Sequence, residues 1–488
     1  MTESISGTPK SSDPNSSDTA TSDDNAAHKH RLGAFSAGAI VAASMIGSGV
    51  YTTSGFSLAA LGSPIQVVLA WLVGGIIAIC GAVCYGGLVR RYTESGGEYL
   101  FLARAIHPSI GMMAGWVSMI AGFAGALAFA ATAFEEYLRE ADWKIFEVFP
   151  SRTIAILLVL IAAAVHSVGL HSGTKIQNAV VVFKFVLIGI FSVIAFVDFS
   201  DWQGGVSHVS LDARPSESWS ISQVFVFANA LTWISLSYSG FNAAVYMAGE
   251  IKNPRRDVPR AMLLATVFVT LIYLVLNTVF VFAPRYDQVA GEAKVATIAA
   301  NAIGEHLVNK GFQIGLYVGP LVWIAILVGL VTSVMALTQT GPRVYQKMAS
   351  DGLLPRFLAG QENAQGDGVG ASLRPAIFTQ AVLGCLVIGI ASLSEQLDYL
   401  GFTLSVCAAL CGAVVFVIHR RDAPVMPRWA FPVVPIIYVF GTLMIATLTA
   451  KRVPVQAAVG LGTLSLGVIA YWLTRLLWGS RTSGDRRN

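Results

Sequence analysis

Charged side chains are scarce in this sequence. Asp, Glu, Lys and Arg make up 12% of 488 residues, about half the roughly 25% usual for a soluble domain. Too little polar surface exists to cover a water-soluble globule, so most of the chain must have lipid as its solvent. The net charge is only +4 and scattered, which gives no reason to invoke nucleic acid. Cysteine is scarce as well: Cys80, Cys84, Cys385, Cys407 and Cys411 all lie in apolar runs. The i, i+4 pairs among them have no His or acidic neighbours and read as small packing residues, so no metal is expected. The sequence has no Walker loop, no HExxH and no GxSxG, which removes the usual signatures of an ATPase or hydrolase. A catalytic role and a cofactor are therefore not expected. Residues 1 to about 30 are rich in Ser, Thr, Asp and Asn and lack an apolar stretch. They read as a disordered tail, not a signal peptide.

What is present in abundance is long apolar runs. Hydrophobic residues make up 55% of the chain and the mean hydropathy is +0.64. A spanning helix needs about 20 apolar residues. Twelve spans are predicted, at 33–58, 65–89, 108–134, 153–170, 175–198, 221–248, 260–283, 312–341, 375–393, 399–418, 430–450 and 454–476. Backbone groups in lipid must be satisfied internally, and these runs are too long and unalternating for barrel strands. The fold class is all-α membrane protein. An even span number puts both termini on one side. That side holds 22 of the 32 Lys and Arg residues and the other side nine, which predicts cytoplasmic termini by the positive-inside rule.

The remaining basic residue is Lys184, the only Asp, Glu, Lys or Arg well inside any predicted span. It lies about ten residues into the fifth span, roughly 15 Å deep. Burying it costs at least a few kcal/mol, so it must face a cavity or a partner. It reads either as a structural lysine held by helix carbonyls or as a group that stands in for an ion or exchanges a proton. Met45-Ile46-Gly47-Ser48-Gly49-Val50-Tyr51 interrupts the first span with two glycines around a serine. Such a segment either packs helices closely or unwinds and offers N–H groups to an anion. Ser237-Tyr238-Ser239-Gly240-Phe241-Asn242 interrupts the sixth. Interrupted helices at corresponding positions of two halves point to an inverted-repeat transporter with a midplane site. Glu94, Glu98 and Glu250 lie in the connections and read as helix caps or loop ion pairs.

Four ordered segments carry a family resemblance. Ile46-Gly47-Ser48-Gly49-Val50-Tyr51 resembles the first-helix motif of the amino acid–polyamine–organocation permeases. Tyr238-Ser239-Gly240-Phe241, running into Gly249-Glu250-Ile251-Lys252-Asn253-Pro254, resembles their sixth helix and following loop. Ser95-Gly96-Gly97-Glu98-Tyr99 is similar to the segment before their third helix. Met348-Ala349-Ser350-Asp351-Gly352-Leu353-Leu354-Pro355 is similar to the stretch after their eighth. The resemblance implies a five-plus-five inverted repeat with two added helices. Its units would be a tail at 1–31, repeats at 32–200 and 201–421, two extra helices at 422–477 and a tail at 478–488. It implies a substrate carboxylate on Ile46, Gly47, Ser48 and Gly49 and a substrate amine near Tyr238, Ser239, Gly240 and Phe241. It also implies that Lys184 takes the place of a coupling sodium. Two positions depart from the family pattern. Asn242 stands where many relatives have an acid, and Leu236 where some exchangers have a tryptophan.

The expected activity is secondary active amino acid transport by alternating access in the cell membrane, sodium-independent, coupled to protons or to exchange. The expected partners are an amino acid, the lipid bilayer and protons. A polyamine or organic-cation carrier would need an acidic pocket residue, and the predicted spans contain none. A non-transporting sensor on the same scaffold would be expected to carry an added soluble domain.

Overall fold

The computed structural model describes residues 32–47, 49–139, 148–168, 170–202, 221–360, 373–421 and 424–478. In chain order the principal helices are α1 (Ala34–Met45), α2 (Gly49–Leu61), α3 (Pro64–Arg91), α4 (Gly97–Ala105), α5 (Pro108–Arg139), α6 (Thr153–Ser167), α7 (Leu170–Val197) and α8 (Ile221–Ser237). They continue with α9 (Pro254–Phe282), α10 (Val295–Asn309), α11 (Val318–Ser350), α12 (Arg374–Ile390), α13 (Leu393–Arg421), α14 (Val433–Arg452) and α15 (Pro454–Trp478). Among the described residues eight helices are long and apolar enough to cross a membrane, and α1 with α2 forms a further bent pair. α6 and α12 are shorter apolar helices. Each predicted span overlaps helix among the described residues, and the protein is a multi-span all-α membrane protein. Among the described residues the one β-type contact is an isolated bridge between Leu32 and Ile251. It fastens the start of the first helix to the loop after the sixth.

Prolines open several helices. Pro64, Pro108 and Pro254 occupy the first turn, where a missing N–H leaves no extra orphan and the fixed φ suits the helix. Small residues then set how closely helices pack. A Cβ at Gly75 would strike the Thr270 side chain, and one at Gly86 would sit 3.0 Å from Pro259 Cβ. α3 therefore runs tightly along α9. In lipid, where apolar helices gain little from burial against one another, this close approach supplies packing energy. Thr266 and Thr270 return their hydroxyls to Met262 and Thr266 carbonyls at 2.7 Å, so neither leaves an unsatisfied group in the interface. α7 by contrast presents Val182, Val186, Ile190, Val193 and Val197 outward, an apolar face suited to lipid.

Several boundaries differ from expectation; α9 begins at Pro254 and not at 260, and α13 at Leu393 and not at 399. The eighth predicted span lies on α11, which runs to Ser350, past Pro342, instead of ending at 341. Arg343 satisfies Glu250 through Nε at 2.7 Å and Nη2 at 2.8 Å, so its polarity does not stop the helix. The third helix runs to Arg139, beyond the predicted 134. There Glu135 accepts from Arg139 Nε and from the backbone N–H groups of Arg152 and Ala155 at 2.8, 2.8 and 2.9 Å. The carboxylate thereby satisfies orphan donors at the start of α6.

Candidate functional site

The two interruptions are real breaks, and they touch. α1 ends at Met45, where Ile46 leaves helical geometry at φ −80°, ψ 85°. The chain resumes as α2 at Gly49, inclined by 42°. Ser48 lies outside the described residues. α8 ends at Ser237, and Tyr238–Asn242 form turns with Gly240 at φ +95°. A 3₁₀ helix, Ala243–Glu250, follows. A Cβ at Gly240 would lie 2.8 Å from the carbonyl carbon and oxygen of Ser44. One at Gly49 would strike the Ser237 hydroxyl. Only glycine permits these two crossings.

A single tyrosine ties the two helix ends together. Tyr273 Oη on α9 lies 2.6 Å from Met45 O and 2.9 Å from Ser237 O, so its one proton is shared between two C-terminal carbonyls. Behind the first break, Lys184 Nζ donates to Ile46 O at 3.3 Å and to Thr332 Oγ1 at 2.9 Å. The side chain is fully buried, and among the described residues no carboxylate pairs with it. Ser333 Oγ lies 3.3 Å from both Ala43 O and Ile46 O. Three side chains thus occupy the carbonyls that α1 leaves open. The first-turn N–H groups of α2 are the complementary set, unpaired within the helix as at any helix start.

A cavity of about 210 Å³ runs between the breaks. Gly47, Gly49, Tyr238, Ser239, Gly240 and Phe241 line it, whereas Ile46 and Lys184 stand behind its wall. Ser44 also lines it, and its Oγ has no hydrogen-bond partner among the described residues. Among the described residues no backbone N–H donates to the carbonyls of Tyr238 or Ser239. The walls are largely apolar and aromatic, with few polar groups, the usual make-up of a small-molecule site.

Sequence reasoning missed three contributors. The first is Glu98. Glu94 pairs with Lys347 at 2.6 Å and Glu250 with Arg343 at 2.7 Å, as loop ion pairs should. Glu98 instead lies on the cavity wall, 5% exposed. Its Oε1 accepts from Tyr85 Oη at 2.5 Å and Asn242 Nδ2 at 3.2 Å. Burial pushes its carboxyl up to about 7 against the opposing pull of these two donors. The second is Ser118–Gly125, a π-helical stretch of α5 that brings Ser118 and Phe123 to the wall; π segments frequently mark functional sites. The third is α14, whose Tyr438 and Thr442 reach the cavity although its sequence carries no motif. The Gly96-Gly97 pair was the available signal for Glu98; nothing in the sequence marks the other two.

Comparison with known proteins agrees with the architecture. A family model described as amino acid permease matches residues 32–471. The chain is 23% identical over 454 residues to the large neutral amino acids transporter small subunit 2 of Homo sapiens, covering 92% of this chain and 81% of the relative. It is 22% identical over 467 residues to the Asc-type amino acid transporter 1 of Mus musculus, covering 93% and 83%. A b(0,+)-type amino acid transporter 1 of Mus musculus is 28% identical over 258 residues, covering 51% and 50%. With nearly the whole chain matched, the protein belongs to the amino acid permease family of the amino acid–polyamine–organocation superfamily.

Proposed function

We propose that this permease is a secondary active transporter of amino acids that works by alternating access and needs no sodium. One observation carries the reading: two broken helices face each other across a cavity between their ends. The first turn of α2, at Gly49, offers N–H groups and a positive helix end to a carboxylate. The Tyr238 and Ser239 carbonyls offer acceptors to an ammonium group. A zwitterion satisfies both, and a group lacking either charge leaves one set desolvated and unmatched. Lys184 holds Ile46 O where a cation would otherwise have to bridge the break, which favours sodium independence. The five-plus-five division at 32–200 and 201–421, with 422–477 as added helices, is part of the same proposal. So are a cell-membrane location and cytoplasmic termini.

The test is uptake of a panel of labelled amino acids into proteoliposomes, with sodium or choline outside and with or without an inward proton gradient. Uptake of at least one amino acid, equal in sodium and choline, is the expected result. Absence of uptake for the whole panel, with protein that unfolds cooperatively, refutes it. A polyamine carrier gains one specific observation, the Glu98 carboxyl on the cavity wall. Labelled putrescine in the same panel decides between them.

A further inference from the structure

Glu98 has a setting that neither the fold nor the substrate site requires. It sits on α4, just after Gly96 and Gly97, whose φ angles are +137° and +56°. A Cβ at Gly97 would collide with the Tyr246 ring, so this turn tucks the carboxyl inward against the segment that follows the sixth-helix break. One oxygen, Oε1, then receives Tyr85 from α3 and Asn242 from that segment. Asn242 Nδ2 also lies 3.3 Å from Tyr246 Oη. The carboxyl therefore bridges Tyr85 of the second helix and Asn242 just beyond Gly240 by hydrogen bonds, beside the ring contact of Tyr85 with Phe241.

No countercharge comes with it. The titratable groups facing Glu98 are Tyr85 on α3, Tyr246 after the break, Cys407 and Cys411 on α13, and Tyr438 on α14. Phenols and thiols of these types are ordinarily neutral near pH 7. Three cations at this end of the bundle pair with other carboxylates: Lys347 with Glu94 and Asp351, Arg104 with Glu94, and Arg343 with Glu250. Among the described residues none forms an ion pair with Glu98. A buried carboxylate without a cation exists only where its ionisation can be reversed or compensated. Burial has already moved this one up to about 7, into the physiological range.

We infer that Glu98 is a protonatable latch of the transport cycle. Ionised, it ties the segment after the sixth-helix break to the second helix through two charge-assisted hydrogen bonds; neutral, it loosens that tie. The proton comes from water reaching the carboxyl through the cavity and returns there, so one proton is bound and one released per opening and closing. Hydrogen bonds to an ionised acceptor are roughly twice as strong as neutral ones. Alkaline pH thus holds the latch and acid releases it. The inference rests on the transport reading above and adds a coupling group separate from Lys184.

The experiment is the initial rate of labelled leucine and alanine uptake into proteoliposomes, with pH varied on both faces from 5.5 to 8.5. For a group titrating at about 7 the neutral fraction rises about tenfold from pH 8 to pH 6. The wild-type rate should follow it with a midpoint near 7, and Glu98→Gln, fixed in the neutral form, should give a flat profile whatever its maximal rate. Tyr85→Phe removes a donor that favours the charged form, so its midpoint should move to higher pH. Infrared difference spectra should show a protonated-carboxyl band that titrates in wild type and vanishes in Glu98→Gln. An unchanged pH profile in Glu98→Gln overturns the latch while leaving transport intact. If Glu98→Gln does not fold, an unmoved midpoint in Tyr85→Phe overturns it. Failure of wild type to take up any amino acid brings down the transport reading, and the latch with it.

Discussion

Gly240→Ala is the sharpest structural perturbation of this protein. Gly240 sits at φ +95°, a conformation that costs an L side chain about 1–2 kcal/mol even in its best left-handed well. Its Cβ would also lie 2.8 Å from the Ser44 carbonyl carbon and oxygen. Backbone cannot swing away as a side-chain tip can, so the broken segments must separate, an overpacking cost of typically about 1–3 kcal/mol. Together the variant should lose roughly 2–5 kcal/mol. Separation would also widen the crossing that positions Ser44 against Gly240 and Gly49 against Ser237. Gly189→Ala is the control. Gly189 lies in α7 with nothing within 4 Å of its would-be Cβ, and a helical Gly→Ala change there should stabilise by about 0.5–1 kcal/mol. The assay is the thermal unfolding midpoint in micelles together with amino acid uptake in proteoliposomes. Gly240→Ala should fall in both, and Gly189→Ala should hold uptake and rise slightly in midpoint. Equal midpoints and equal uptake for the two variants would refute the reasoning about the crossing.

Arg343→Ala removes one member of a buried, bidentate pair and leaves Glu250 uncompensated; a loss of about 3 kcal/mol in thermal or denaturant unfolding is expected. Lys184→Met keeps most of the stem but strips two donors from Ile46 O and Thr332 Oγ1. Uptake should fall at least about tenfold, a 1.4 kcal/mol effect; an unchanged rate and pH response would remove Lys184 from the mechanism. For Glu98 the sign of the stability effect is fixed by burial. The folded carboxyl titrates at about 7, above its ordinary 4.5, so the folded chain holds a proton that the unfolded chain releases. That contribution is present below about 4.5 and lost as pH rises through about 7, amounting to about 3 kcal/mol at most. Unfolding midpoints from pH 4.5 to 8 should therefore fall more steeply in wild type than in Glu98→Gln. Tyr273→Phe leaves Met45 O and Ser237 O without their shared donor and should cost about 1–3 kcal/mol in the same unfolding assay.

The membrane class and helical character were legible because lipid imposes them. Apolar runs near 20 residues with few charges leave no other fold. Both helix breaks were legible as well, because Gly-Ser-Gly and Tyr-Ser-Gly-Phe-Asn stand out against apolar surroundings at 47–49 and 238–242. Lys184 was conspicuous for the same reason. The sequence did not show that Tyr273, twentieth in the apolar helix α9, would join the two breaks. Nor did it show Glu98 turning inward. Its position in a polar connection reads as solvated, and its burial depends on two positive-φ glycines folding α4 under the bundle. The end of the eighth helix was misplaced because Arg343 reads as a boundary residue until its partner Glu250, distant in sequence, is known. Tyr273, Glu98 and Arg343 each act through long-range pairings, which local pattern does not encode.

The most direct measurement is a structure of the permease with a transported amino acid bound in a lipid nanodisc. The ligand should lie in the cavity, its carboxylate against the N–H groups at Gly49 and its ammonium against the Tyr238 and Ser239 carbonyls. A ligand bound away from both segments, or with its charged groups reversed between them, would contradict it.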